Sequence, residues 1–258
     1  MTKKQGANKL DTLIENLSKE FSKIPNFELT QTDSNANRVF NLVLRKFTEI
    51  HDFKTLFISY YIPSSNKAIV EAKREISNSL YRNLINISNE QLKENLYDTI
   101  RLGYVGLFHK IENFVNDILK ETNRLYNKLE ENENNISIED FFKKNYNFKF
   151  NDWKRDRRIE KINWISNCVK HYDGFPLKEP KFEYFESFPE NERLKISIED
   201  FKEDIDYVIN TFFKLKLAQI MSFGLFKITK TSIDSENMNE EMKKTLDKFE
   251  DNMKFIMN

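Results

Sequence analysis

Apolar residues recur along this chain at helical spacing, and alternating runs bounded by turn pairs are rare, so helix is the expected element nearly throughout. Lys9 to Ile24 carries Leu10, Leu13, Ile14, Leu17 and Phe21 on one stripe, and Pro25 stops it. Polar residues from Thr30 to Asn37 read as a loop in which Asp33 or Ser34 caps the following helix. That helix opens with Val39, Phe40, Leu42, Val43, Phe47 and Ile50. Its continuation, Leu56 to Ile62, is dense enough in aromatic and β-branched residues that a buried helix and a short strand both stay open, and Pro63 is expected to close it either way. Lys67 to about Ile87 is helical again, with Ile69, Ile76, Leu80 and Leu84 as its stripe. Ser88-Asn89-Glu90-Gln91 is a capping box that opens the longest helix, expected to reach about Asn132. Ser137-Ile138-Glu139-Asp140 and Ser197-Ile198-Glu199-Asp200 cap two further helices, the second running to about Lys227. Between them, residues 180 to 189 form an aromatic, packed loop. Met242, Leu246, Phe249 and Met253 mark a peripheral C-terminal helix.

Composition narrows the functions available to such a helical chain. The 23 Phe and 10 Tyr can fill a sizeable core although 32% of residues are charged. Lys+Arg 41 balance Asp+Glu 41, so contact with a nucleic acid has to be local rather than spread over a basic surface. A single Cys excludes an internal disulfide and any multi-cysteine zinc site, and His51, His109 and His171 are too few for a histidine-rich metal centre; no cofactor is expected. The start of the chain has no apolar signal core and no run approaches bilayer length, so a cytoplasmic, non-membrane protein is expected. No phosphate-cradling glycine loop or paired metal-carboxylate pattern is present, which argues against an ATPase or a two-metal nuclease.

Chemistry-bearing residues crowd in one stretch, Ile162 to Pro176. Ile162, Ile165 and Val169 form the apolar side of a helix, with Trp164 and Cys168 beside them. Asn167 and His171, four apart, stack on one flank next to Lys170. Asp173-Gly174 ends the helix through a left-handed cap, and Pro176 forbids its resumption. The last turn, where a helix favours positive charge, thus holds Lys170 and His171.

Asn167-Cys168-Val169-Lys170-His171-Tyr172-Asp173-Gly174 resembles the signature helix of HEPN-type all-helical proteins, in its Asn-x-x-Lys-His-x-x-Gly form. The slot of the family's motif Arg is Ser166 here. The resemblance covers about Leu96 to Leu217, and it implies an all-α antiparallel helical bundle and a homodimer with the signature helices near its axis. It also implies a metal-independent ribonuclease of a toxin or phage-defence module, with an antitoxin or defence protein as partner. On that expectation His171 is the general acid/base, and Asn167 and Lys170 hold the phosphate, Lys170 as a point charge in place of a bidentate Arg. The plainer reading is a helix-terminal histidine that only orders its turn, in a catalytically silent protein that uses the helix for dimerisation, RNA binding or protein interaction.

Further candidates follow. Arg101 and Glu112, eleven apart on the longest helix, share one line along it. Arg101 can replace the missing motif Arg in space, or the two can form a buried ion pair that orients the bundle. Lys154, Arg155, Arg157 and Arg158 form a basic patch that can hold RNA phosphates, and Trp153 and Trp164 can stack bases; the ordinary alternative is a solvated helix start with interspersed acids. Cys168 lies on the apolar side and reads as a buried small hydrophobe. The expected organisation is a helical extension over 1–88, a HEPN-like core over 89–230 and a peripheral helix over 231–258.

Overall fold

The computed structural model describes residues 9–24, 26–129, 155–181 and 188–214, and singly residues 216, 221, 224, 225 and 244. The expected short helix after Ser137, the 182–187 part of the aromatic loop and the C-terminal helix lie outside the described residues, as do Trp153 and Lys154. Among the described residues every regular element is helical. In order they are α1 (Lys9–Phe21), α2 (Leu29–Thr32), α3 (Ser34–Thr55), a π-helical segment (Leu56–Tyr61), α4 (Ile62–Asn78), α5 (Asn89–Leu129), α6 (Arg157–Tyr172), α7 (Ile198–Tyr207) and a second π-helical segment (Val208–Phe213).

The chain divides into two compact units, Met1–Glu49 with Phe114–Asp152 and Thr211–Asn258, and Ile50–Asn113 with Trp153–Asn210. The divisions fall inside α3 and inside α5.

In the first unit Leu17, Phe21, Val39, Val43 and Phe47 are buried, together with Phe114, Val115 and Ile118 of α5. Phe114 stacks on Phe213 with ring centroids 3.7 Å apart. Asp33 caps α3, its Oδ1 accepting from the amides of Asn35 and Ala36 at 2.8 and 2.9 Å. Two ionic groups are buried with this core. Lys46 reaches Asp117 at 2.6 Å, and Glu121, only 7% exposed in its side chain, accepts from Arg38 and Arg124. Burial alone would raise the Glu121 carboxyl, but hydrogen bonds and charge from Arg124 and Arg38 outweigh it and hold the group below its ordinary value. A carboxylate whose folded pKa is depressed stabilises the fold above its unfolded pKa and loses that contribution as pH falls through the folded value. Glu121→Gln is therefore expected to melt below wild type at neutral pH. The gap should close on acidification, read by circular dichroism from pH 7 to pH 3; a gap independent of pH would sink this assignment.

The second unit holds α6. Ile100, Tyr104, Leu107 and Ile111 of α5, Ile159, Ile162, Ile165 and Cys168 of α6, and Phe201 and Ile205 of α7 are all buried, and the Tyr104 and Phe201 rings meet with centroids 5.0 Å apart. Two glycines of α5 permit close approach: a Cβ on Gly103 would stand 2.4 Å from the Phe201 ring, and one on Gly106 2.8 Å from Phe53. Helix does not stop at Pro63. The proline sits in the first turn of α4 after a π-helical turn, in which the amide of Ile62 reaches the carbonyl of Phe57. The wider turn is where the backbone absorbs a residue without an N–H, so the strand alternative for Leu56 to Ile62 is not realised.

α4 ends earlier than its sequence stripe suggests. Ser79 is extended and residues 80–84 form turns, which leaves Leu80 and Leu84 in solvent rather than on a core stripe. The capping box at Ser88 forms reciprocally, Ser88 Oγ accepting from the Gln91 amide at 3.2 Å and Gln91 Oε1 from the Ser88 amide at 2.8 Å. No helix among the described residues is long and apolar enough to cross a membrane.

Candidate functional site

Helix α6 is fastened at both ends. Asp156 caps its start by accepting from the amides of Arg158 and Ile159 at 2.9 and 3.1 Å, and it also accepts from the Tyr207 hydroxyl. Burial and the bond to Asp156 push that phenol up to about 12, so it stays a donor. One turn further, Asp204 of α7 is fully buried and accepts from the Tyr104 hydroxyl at 2.7 Å, Lys161 at 2.8 Å and Arg158 at 3.1 Å.

At the other end Asp173 turns left-handed, with φ 50 and ψ 33, and Gly174 follows at φ 82. The Gly174 amide donates to the carbonyl of Cys168 at 3.0 Å, closing the helix, and its own carbonyl accepts from Leu194 at 2.8 Å. Gly174 is required twice over. Its backbone conformation disfavours a side chain, and a Cβ there would meet Cδ of Arg101 at 2.9 Å.

Arg101 thus passes directly under the turn that follows α6, and its guanidinium is committed there. Nε donates to Asp98 at 3.2 Å, one Nη to the Leu194 carbonyl at 2.8 Å and the other to Glu94 and Asp98. With 2% exposure, Arg101 does not present its guanidinium to solvent. Nor does it pair with Glu112, which is half-buried and stands about 16 Å further along the helix at 1.5 Å rise per residue. Arg193 completes the cluster, pairing with Asp173 and approaching Glu94 at 3.6 Å.

The remaining candidates separate into a buried and an exposed group. Ser166, in the slot of the motif Arg, is fully buried and its hydroxyl has no hydrogen-bond partner, so this position of α6 faces the core. Trp164 is 5% exposed and its indole N–H donates to the Lys178 carbonyl at 2.8 Å, so the ring expected to stack bases is buried here. Cys168 is buried as expected for a small hydrophobe, and burial pushes its thiol up to about 11. Asn167 is half-buried and donates to Asn163 at 2.8 Å. Lys170 and His171 are exposed; the Lys170 ammonium lies 5.7 Å from the centroid of the Phe108 ring. Arg155 and Arg157 are exposed, whereas Arg158 is bound to Asp204 and lies over the Tyr207 ring.

Glu94, Asp98 and Arg193 escaped the sequence reading, in which Asp173 is only the helix cap. They lie on polar positions of α5 and in connecting turns, where no period marks them, and only the fold brings residues 94 and 193 together. Among the described residues no group of three His, Cys, Asp or Glu side chains could hold a metal ion. No known protein family, curated protein or solved structure matches the chain.

Proposed function

We propose that this chain is a catalytically silent, HEPN-like helical module that acts by binding another protein chain. On this reading α5, α6 and α7 belong to an antiparallel bundle, and the signature helix is a structural pivot rather than a reaction centre. The observation that carries it is the apolar segment after α4: Leu80 is 96%, Tyr81 67%, Leu84 81% and Ile87 49% exposed. Large side chains crowded on one exposed segment mark an interaction surface. The committed guanidinium of Arg101 supports the same reading, because it is not available to orient a phosphate in place of the motif Arg.

A second copy of the chain is the first partner to test, since the resemblance implies a homodimer. Light scattering at micromolar concentration is expected to give a dimer for wild type and a monomer for the Leu80→Asp/Leu84→Asp variant, with unchanged circular dichroism. A monomeric wild type would overturn self-association through this segment. An antitoxin or phage-defence protein, in the cytoplasm, is the further partner that the resemblance suggests.

One observation favours a second reading, a metal-independent ribonuclease: His171 and Lys170 both reach solvent on the last turn of α6. There His171 would take the proton of a 2′-hydroxyl while Lys170 held the phosphate, with any further charge supplied by a partner or by RNA contacts at Arg155 and Arg157. Incubation of single-stranded and transfer RNA in EDTA tests it. Cyclic-phosphate ends that vanish in His171→Ala would establish the nuclease; intact RNA would leave the binding reading.

A further inference from the structure

We propose that the cleft between the first half of α3 and the last half of α5 binds a nucleotide that carries more than one phosphate. This cleft, about 630 Å³ in volume, lies wholly in the first unit and does not depend on the signature helix.

Its charge is built rather than incidental. Arg38, Arg45, Lys120 and Arg124 line it, against Asp117 and Glu121. Both carboxylates are already engaged: Asp117 by Lys46 at 2.6 Å, and Glu121 by Arg38 and Arg124. The buried Glu121 grips Arg38 through Nε at 3.0 and 3.1 Å, which fixes the plane of the guanidinium by one edge. Arg38 nevertheless keeps a side chain 61% exposed, and Arg45 one 62% exposed. Arg124 is held from both sides, by Glu121 and by Asn35 at 3.2 Å. Oriented guanidiniums beside an exposed lysine are the donor set that phosphate oxygens select.

Spacing argues for more than one phosphate. Arg38 and Arg45 are two turns apart, about 10 Å along α3, and Lys120 and Arg124 are one turn apart, about 6 Å along α5. With the cations spread along both walls, an oligophosphate lying along the cleft can meet more of them at once than a single phosphate can. The same walls carry Asn37, Asn41 and Leu42. Asn37 is engaged by the Thr30 carbonyl at 3.0 Å and by Asn41 at 2.8 Å, which leaves the side-chain oxygen of Asn41 as an acceptor for the amino group of a base, and the volume falls within the range of small-molecule sites. The inference concerns binding; no hydrolytic step is part of it.

Calorimetric titration of the full chain in EDTA, with ATP, tripolyphosphate and inorganic phosphate as probes, tests the proposal. Expected are saturable binding of ATP, weaker binding of tripolyphosphate, and inorganic phosphate about tenfold weaker still or more, all falling with added salt. Arg45→Gln/Lys120→Gln changes only exposed side chains, so its circular dichroism and melting should match wild type while ATP affinity drops about tenfold or more. His171→Ala should bind ATP like wild type, which separates this cleft from any site on α6. Absence of saturable binding by wild type, or equal ATP affinity in wild type and the Arg45→Gln/Lys120→Gln variant, would overturn the proposal.

Discussion

Asp204→Ala is expected to lose about 3–5 kcal/mol of folding stability, the cost of breaking a buried ionic group by removing one member. The carboxylate is fully buried and accepts from a tyrosine hydroxyl, a lysine and an arginine that come from α5 and α6, so it ties three helices at one point. Its removal takes the acceptor from the Tyr104 hydroxyl, itself fully buried, and the counter-charge from Lys161, whose side chain is 13% exposed. Arg158 contributes less to the loss, because its 42% exposed side chain can turn to water. Asp204→Asn keeps an acceptor for the hydroxyl but drops the charge, and is expected to fall between alanine and wild type. Urea unfolding followed by circular dichroism reads both, with the midpoint moving and the slope unchanged. For a domain of ordinary stability the alanine cost is a large fraction of the total. A loss below about 1 kcal/mol, the scale of an exposed pair, would show that water already solvates this carboxylate.

The helices that hold this network were largely legible from the chain, and the network was not. Ile159, Ile162 and Ile165 repeat at helical spacing and all are buried, because period reports which face of a helix meets the core. The caps at Asp33, Ser88 and Ser197 form where short polar side chains precede an apolar run, because unsatisfied amides there need an acceptor whatever the fold. Leu80 and Leu84 fit a stripe equally well and yet stand in solvent: period marks the face a segment would bury and does not say whether anything covers it. Pro63 shows the converse. A residue that ends most helices is accommodated where a wider turn precedes it, and no local pattern announced that turn. The candidate site suffered from the same blindness to distance. Neighbours in sequence grouped Ser166, Asn167, Lys170 and His171, but the helix distributes them between core and solvent. The charges that cluster around Arg101 under the turn after that helix, Glu94, Asp98 and Arg193, come from remote segments.

Arg101→Met should show whether the arginine under Gly174 serves the fold or a reaction. Its guanidinium makes charge-assisted bonds to Glu94, to Asp98 and to the carbonyl of the fully buried Leu194, and methionine keeps only the apolar arm. Such bonds are worth about 1.5–3 kcal/mol each in net terms. Glu94 and Asp98, with side chains 33% and 48% exposed, recover part of their loss by turning to water, so the expected total is about 2–3 kcal/mol, below that for Asp204→Ala. Arg101→Lys should restore only a fraction of it, since a single ammonium on a shorter reach cannot meet three acceptors set in a fork. His171→Ala, at an exposed helix end, should change stability by no more than about 0.5 kcal/mol. These variants answer the functional question as well. If Arg101 is a scaffold, any RNA cleavage measured per folded molecule stays at the wild-type level in Arg101→Met while thermal stability falls. Cleavage that collapses in Arg101→Met with wild-type stability would place the guanidinium on the substrate instead, and would require the turn at Gly174 to open and release it.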